Sequence, residues 1–244
     1  MYIFAILLLS QNNMFEPSKV LQFAEYLYDQ KYYSAALNEY RRYLFLTDTT
    51  YELVSEKIID CLIRLEKFDE ALKESARLKD EMKSDFTKGL IYFLAGKFDS
   101  SRTHLNRAGI PYKENARRLI GLSYAQEFKF QNAAEYIELP KDVPKYKKPV
   151  LGALFALCPG GGHFYCGRIG DGIFSFLVIS TASLLSYYYY DREEDIKFGI
   201  ALGATILFYA GNIYGGINAV RNYNYYQNER YLSAIEVKFT HESQ

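Results

Sequence analysis

Two long stretches without a charged side chain constrain the fold of this chain more than any other feature. Residues 172–190 are 19 uncharged positions in succession, and residues 198–220 are 23. A helix rises 1.5 Å per residue, so each run can cross a hydrocarbon core of about 30 Å. Six of the seven residues between the runs are charged. The sequence therefore predicts two membrane-spanning helices that form a hairpin.

Small and polar residues in the second run predict how the two helices meet. Four glycines share one helix face, at multiples of four residues: Gly199, Gly203, Gly211 and Gly215. Small residues at this spacing let the backbones of membrane helices approach closely. Asn212 and Asn218 lie in the same run. Because amides in lipid need partners, we expect them to face the other helix or the glycine-rich turn that precedes the hairpin.

A proline and three glycines precede the hairpin and end a short apolar segment over residues 150–158. Proline lacks a backbone donor and glycine has a large backbone entropy cost, so this run does not continue a helix. The motif predicts a tight turn at the membrane surface and consists of Pro159, Gly160, Gly161, Gly162, Tyr165, Gly167, Arg168, Asp171 and Gly172. Asp171 is placed either to cap the following helix or to pair with Arg168.

The same motif contains residue types that bind metals. Cys158, His163 and Cys166 form a Cys-x4-His-x2-Cys array, but zinc requires a fourth ligand and no second pair follows. A Cys158–Cys166 disulfide is an alternative. The favoured interpretation is that the cysteines are small apolar residues at a membrane turn. The glycines lack the spacing of a phosphate-binding loop, and no nucleophile grouping is evident. We expect no metal site, no cofactor and no enzymatic activity.

Four lysines and two prolines between residues 141 and 149 separate this apolar part from the preceding chain. The prolines break helix continuity and indicate a linker. The lysines predict either an interfacial anchor for anionic lipid headgroups or a solvated linker. Their position beside the apolar segment favours the anchor.

The first part of the chain, residues 17–140, repeats one pattern four times. An aromatic residue recurs at spacings of 35, 30 and 32 residues, and a small residue follows three positions after each. These anchors are Tyr33 with Ala36, Phe68 with Ala71, Phe98 with Ser101, and Phe130 with Ala133. Nine positions before the aromatics come Ala24, Ile59, Gly89 and Gly121, of which Ile59 departs from the small residue expected. Small residues are needed where paired helices cross, and the aromatics fill the space between successive pairs.

This pattern resembles the tetratricopeptide repeat, whose period is about 34 residues. Residues 29–40 and 65–75 resemble it most closely. The first copy is similar to the periplasmic helical-repeat lipoproteins of the outer-membrane barrel-assembly machinery. The resemblance implies a helical solenoid with a concave peptide-binding groove, in which the anchor residues form the core.

Residues 150–220 resemble a small prokaryotic domain of two transmembrane segments whose first turn reads Pro-Gly-x-Gly-x-x-Tyr-x-Gly-Arg. In this chain the turn is residues 159–168, and Asp171 and Gly172 follow it. This resemblance implies membrane residence without a particular reaction. Together the two resemblances suggest a bacterial envelope protein.

Two features predict opposite sides of the membrane for the repeat. Residues 1–10 are uninterruptedly apolar but too short to span a bilayer, which predicts a signal peptide or an apolar helix turn docked on the repeat. A signal peptide places the repeat outside the cytoplasm. The basic residues that flank the hairpin on the repeat's side place it inside by the positive-inside rule: Lys141, Lys145, Lys147, Lys148, Arg168 and Arg221. The extracytoplasmic side is favoured, because the first repeat resembles exported proteins.

We therefore predict an all-α chain in which a tetratricopeptide-like solenoid precedes a transmembrane hairpin with a re-entrant or interfacial segment before it. The predicted parts are residues 1–13, the repeat at 14–140, the linker at 141–149, the membrane domain at 150–226 and a polar tail at 227–244. The alternating pattern at residues 234–240 predicts a short strand in that tail.

The predicted function is a membrane-anchored protein–protein interaction adaptor, in the inner membrane rather than the outer, that acts in envelope assembly or secretion. The alternative is an oligomeric membrane channel or transport accessory with the repeat as a soluble cap. Expected partners are a protein bound by the repeat and the lipid bilayer, and homo-oligomers are compatible with the sequence. Nucleic acid is not expected, because the chain has 29 basic and 29 acidic residues and so no overall attraction to polyanions.

Overall fold

The computed structural model describes residues 16–47 and 52–242. Within these ranges all regular secondary structure is helical and no strand is present, which confirms the predicted all-α class. The chain divides into two compact units, with the boundary between Leu139 and Pro140. The predicted signal peptide over residues 1–13 lies outside the described residues.

The first unit contains eight of the helices in the described part of the chain. They are α1 (Pro17–Asp29), α2 (Tyr33–Leu46), α3 (Glu52–Arg64), α4 (Phe68–Ser75), α5 (Glu81–Leu94), α6 (Phe98–Leu105), α7 (Lys113–Gln126) and α8 (Phe130–Ala133). Each helix contacts the next one along the chain. The unit is therefore a succession of neighbouring helix pairs.

One turn geometry joins the two helices of all four pairs. The second helices begin at the aromatic anchors, and two residues before each anchor the backbone is left-handed: Lys31 (φ 64°), Glu66 (φ 57°), Gly96 (φ 71°) and Phe128 (φ 59°). The next residue then donates its N–H to a carbonyl five positions earlier, as Tyr32 does to Leu27 at 2.9 Å. This six-to-one bond satisfies a carbonyl at the end of the first helix and redirects the chain.

The small residues of the repeated pattern lie where the helices cross. Four of them are fully buried: Ala36, Ala71, Ser101 and Ala133. A Cβ atom at Gly89 would come within 2.6 Å of the Leu105 side chain, and one at Gly121 within 2.6 Å of Ile137. The aromatic anchors were expected in the core but are only half-buried, because each begins its helix beside the turn.

The second unit contains two short helices and two long ones: α9 (Pro149–Phe155), α10 (Gly161–Tyr165), α11 (Ile169–Asp191) and α12 (Asp195–Glu242). The long helices contact each other and are apolar enough over a sufficient length to cross a membrane. Only 17% of the apolar window of α11 and 11% of that of α12 is buried, so both turn most of their apolar surface outward. The two short helices lie against α12.

The second long helix continues far beyond the predicted span. Its 48 residues extend over about 72 Å, roughly twice the thickness of a hydrocarbon core. The predicted strand at residues 234–240 is therefore wrong, because this segment belongs to α12. Asn224, Asn228, Tyr231 and Ile235 recur at helical spacing. Tyr231 and Ile235 are buried, so burial along one helix face outweighs the local alternation of polar and apolar residues.

Candidate functional site

The glycines of the turn between α9 and α10 are required by contacts between backbones. Gly160 has a left-handed backbone (φ 80°), and a Cβ atom there would lie 2.2 Å from the Gly172 carbonyl oxygen. At Gly161 a Cβ atom would lie 2.1 Å from the carbonyl oxygen of Phe155. Pro159 lies in the turn between α9 and α10, directly before these residues. The chain thus folds tightly on itself at this motif, and no larger residue fits.

A second set of glycines brings the short helices against α12. A Cβ atom at Gly162 would lie 2.5 Å from the Gly216 Cα atom, and one at Gly152 would lie 2.5 Å from the Val220 side chain. At Gly172, near the start of α11, a Cβ atom would lie 2.5 Å from the Phe164 ring. Gly152 and Gly216 were not predicted from the sequence. The spacing of Asn212, Gly216 and Val220, four residues apart on one helix face, could have identified Gly216.

Asn212 fastens the turn to α12 through its side-chain amide. Its Nδ2 donates to the carbonyl of Ala156 at 2.6 Å, and its Oδ1 accepts the N–H of Gly160 at 2.9 Å. The residue is buried. Of the two neighbours expected for Asn212, the other long helix and the glycine-rich turn, the structure shows the turn. Asn218 is half-buried farther along α12.

The remaining motif residues shape the exit from the turn. Gly167 is left-handed (φ 76°), two residues before α11 begins at Ile169, so the turn seen in the first unit recurs here. The ring of Tyr165 stacks on Phe155 with centroids 5.0 Å apart. Asp171 accepts a hydrogen bond from Arg168 Nε at 2.6 Å. Of the two roles considered for Asp171, the structure shows the ion pair.

The cysteines and the histidine of the motif do not converge. Cys158 is exposed, Cys166 is buried, and both are free thiols, so the disulfide alternative is not formed. His163 packs against α12, with its Nε2 atom 3.0 Å from the position of a Cβ atom at Gly215. Among the described residues, no three His, Cys, Asp or Glu side chains are grouped as metal ligands.

The predicted helix-packing glycines do not line the contact between α11 and α12. A Cβ atom at Gly199, Gly203 or Gly211 would meet no atom within 4 Å, and only Gly215 has a close neighbour. The helices meet instead at Ser186 and Thr205, whose hydroxyls lie 3.1 Å apart. Thr205 is two residues beyond Gly203, or about 200° around the helix, so the opposite face of α12 makes the contact.

The first unit contains an open cleft of about 820 Å³ between its last helices. Pro111, which is exposed, and Tyr136, which is half-buried, contribute the accessible apolar wall, and the buried core residues Leu105, Ala116 and Ile120 lie behind them. Charged side chains surround them: Arg107, Lys113, Glu114, Arg117 and Glu135. Arg117 Nη2 donates to the Glu135 backbone carbonyl at 3.1 Å, which joins α7 to the segment after α8. An apolar wall with a charged rim is suited to binding a protein segment.

A buried arginine fixes the two helices that form the cleft. Arg102 on α6 donates to Ser123 Oγ on α7 at 3.1 Å and to Oε2 of Glu127, the residue directly after α7, at 2.7 Å. Its guanidinium lies 4.2 Å from the centroid of the Tyr124 ring. Burial by itself lowers the pKa of Arg102, but hydrogen bonds with Glu127 and Asp99 raise it above its ordinary value. The charge is therefore retained and paired, as a buried charge must be.

No family model matches this chain, and no curated protein sequence matches it. The proposed function therefore rests on four features of the chain itself: the glycine-rich turn, the repeated helix pairs, the cleft and the outward-facing apolar helices.

Proposed function

We propose that this protein is a membrane-anchored adaptor of the bacterial cell envelope. Its first unit acts as a tetratricopeptide-like repeat that binds a partner protein, and its second unit fixes the repeat to the inner membrane. The observation that carries the proposal is the charged cleft in the first unit, on a chain whose second unit turns two long apolar helices outward.

The repeated turn supports the assignment of the first unit. All four pairs use a left-handed residue two positions before the anchor and a fully buried small residue three positions after it. The anchors recur at spacings of 35, 30 and 32 residues, near the period of about 34 residues of a tetratricopeptide array. Such arrays present concave surfaces for extended protein segments.

The charge around the cleft indicates what kind of segment would bind. Arg107 and Lys113 are exposed, and neither forms an ion pair with another described residue. Together with Arg117 they outnumber the two glutamates of the rim. A partner segment that carries carboxylates beside an apolar side chain would complement both the rim and the wall.

Site-directed photocrosslinking of the full chain in its native cells tests this function. A photoreactive amino acid replaces Asn106 in the cleft or, as a control, Lys73 on α4, which is exposed and outside the cleft. We expect a discrete crosslinked protein from position 106 only, and its loss in the Arg107→Glu/Lys113→Glu variant. A purified acidic peptide from that protein should then bind the wild-type chain and not the variant. Equal crosslinking from both positions, or no effect of the charge reversal, would contradict the proposal.

The side of the membrane is tested by labelling with a membrane-impermeant thiol reagent. Single cysteines replace Lys79 in the repeat unit and Arg192 between the long helices, both exposed positions, in a chain that carries Cys158→Ser. The other native cysteines, Cys61 and Cys166, are buried. We propose an extracytoplasmic repeat, so position 79 should label in cells with a permeable outer membrane and position 192 should not. The reverse pattern would place the repeat in the cytoplasm, as the flanking lysines predict.

Asn212 and Asn218 are the polar side chains of the second apolar run that a channel could use, and the contacts of Asn212 give the channel alternative no support. Both polar atoms of the Asn212 side chain are engaged with the backbone of the turn. The amide therefore has a structural role in this chain and is not free to contact a permeating ion.

A further inference from the structure

The basic linker is held along α12 by a row of hydrogen bonds. Asn224 binds both backbone groups of Lys147: its Oδ1 accepts the N–H at 2.8 Å and its Nδ2 donates to the carbonyl at 2.9 Å. One turn farther, Asn228 accepts the Tyr146 hydroxyl at 2.6 Å, and Tyr231 donates to the Pro140 carbonyl at 2.8 Å. The linker thus has a fixed path on the protein surface.

One of the four lysines is used to hold this path. The Lys147 ammonium donates to the carbonyl of Tyr165 and lies over two aromatic rings, 4.9 Å from the centroid of Tyr165 and 4.3 Å from that of Tyr223. Such cation–π contacts stabilise an ammonium group that is partly withdrawn from water. Lys145 and Lys148, on either side of it, remain exposed and have no ion-pair partner among the described residues.

The position of the linker along α12 places these two lysines at the level of lipid headgroups. Val220 is the last residue of the uncharged run, and Asn224 follows it by one helical turn, about 6 Å. The headgroup layer on each side of a bilayer is about 5–7 Å thick. Lys147 is bound to Asn224, so its neighbours Lys145 and Lys148 lie within or beside that layer.

Apolar side chains adjoin the lysines on the same side of the membrane. Lys148 precedes α9, whose Gly152 packs against Val220. The opposite surface of α9 is exposed, with 71% of Val150 and 56% of Leu154 accessible. A short helix with one face on the protein and an apolar face directed outward, beside lysines, is suited to the boundary between headgroups and acyl chains.

We propose that Lys145 and Lys148 form a binding site for the phosphate of an anionic glycerophospholipid, whose acyl chain lies against Val150 and Leu154. The inference rests on the membrane residence in the proposed function and adds the lipid class that the membrane unit selects. The loop at the other end of the hairpin, residues 191–197, has four acidic and two basic side chains and would repel such lipids.

Native mass spectrometry of the full chain in detergent tests the site. The protein is titrated with phosphatidylglycerol and with phosphatidylcholine of the same acyl chains, and the retained lipids are counted. We expect wild type to retain phosphatidylglycerol preferentially, and the Lys145→Gln/Lys148→Gln variant to lose about fivefold in affinity for each lysine removed. The matched control is Lys73→Gln/Lys79→Gln, which removes the same charge from exposed positions of the first unit and should leave the preference unchanged.

Two further measurements separate the possible failures. Flotation with lipid vesicles reports membrane residence itself: a chain that does not float contradicts the proposed function. A chain that floats but retains both lipids equally, or whose control variant loses the preference as well, contradicts only the lipid site. Soluble glycerol phosphate should not displace the bound lipid at equal concentration, because it lacks the acyl chain. Displacement would overturn the role of Val150 and Leu154.

Discussion

The two units use the same turn between helices but differ in what lies where the helices cross. In the first unit a large side chain packs against a small residue, as Leu105 does against Gly89 and Ile137 against Gly121. The second unit has contacts of that kind too, as between Gly152 and Val220, but there backbones also meet directly: Gly162 faces Gly216, and Gly160 faces the carbonyl of Gly172.

The surroundings proposed for each unit, water for the first and lipid for the second, explain the difference. In water, burying Leu105 and Ile137 removes apolar surface from solvent, so side-chain contacts drive the association. In lipid the surroundings are as apolar as the side chains, and helices associate through close van der Waals contact and interhelical hydrogen bonds. The glycine contacts and the two hydrogen bonds of Asn212 are of that kind. The comparison therefore predicts different sensitivities to substitution in the two units.

Enlarging a glycine at a backbone contact should have the largest effect. Gly162→Leu forces its side chain toward the Gly216 Cα atom, which cannot move without displacing α12. We expect a loss of about 3 kcal/mol or more in the stability of the second unit. The measurement is the temperature at which the full chain aggregates in detergent, followed by size-exclusion chromatography.

The matched control for this change is Gly203→Leu on the same unit. No atom lies within 4 Å of a Cβ atom at Gly203, and leucine is a better helix former than glycine. The control should aggregate at the wild-type temperature or above it. If both substitutions lower that temperature equally, the backbone contact is not what distinguishes the second unit from the first.

Replacing the amide that joins the turn to α12 should have an intermediate effect. Asn212→Leu keeps the side-chain size but leaves the Ala156 carbonyl and the Gly160 N–H without their partner. The expected cost is about 2 kcal/mol, because each of the two unsatisfied buried polar groups costs at least about 1 kcal/mol. Hydrogen–deuterium exchange of the Gly160 amide should accelerate.

Asn218→Leu serves as the control, since Asn218 is half-buried on the same helix. It should leave the exchange of Gly160 unchanged. Acceleration in both variants would show that the amide of Asn212 has no special relation to the turn.

Substitutions in the turn that both units share should have the smallest effect on stability, and the effect should be similar in the two units. All four turn residues have a left-handed backbone. This conformation costs energy at Glu66 and Glu193, which have a Cβ atom, but not at Gly96 and Gly167. We expect Glu66→Gly and Glu193→Gly to stabilise the unit that contains each residue by about 0.5–1 kcal/mol. Gly96→Ala and Gly167→Ala should destabilise their units by about as much. Urea unfolding followed by circular dichroism measures each change. A unit-specific response would show that the turns are not equivalent.

The sequence predicted local features correctly because they depend on neighbours along the chain. The repeated pattern predicted helix pairs, which the first unit contains, and the apolar runs lie within α11 and α12. The period of the repeat and the length of the apolar runs can both be found in the sequence without knowledge of the fold. The left-handed residues were missed, because Lys31, Glu66 and Phe128 lack the glycine that normally marks such a turn.

The tertiary structure decided which face of each helix makes contact and how far the last helix extends. Gly199, Gly203 and Gly211 had the expected spacing, but Gly152, Gly162 and Gly216 make the close contacts. Spacing identifies a face of small residues and not the neighbour that meets it, which depends on the path of the chain through the turn. Residues 234–240 likewise alternate as a strand would, yet they are helical, and the buried Ile235 lies on the same face of α12 as Asn224, Asn228 and Tyr231. Local pattern thus determined the elements of this protein, and the contacts between distant segments determined their partners.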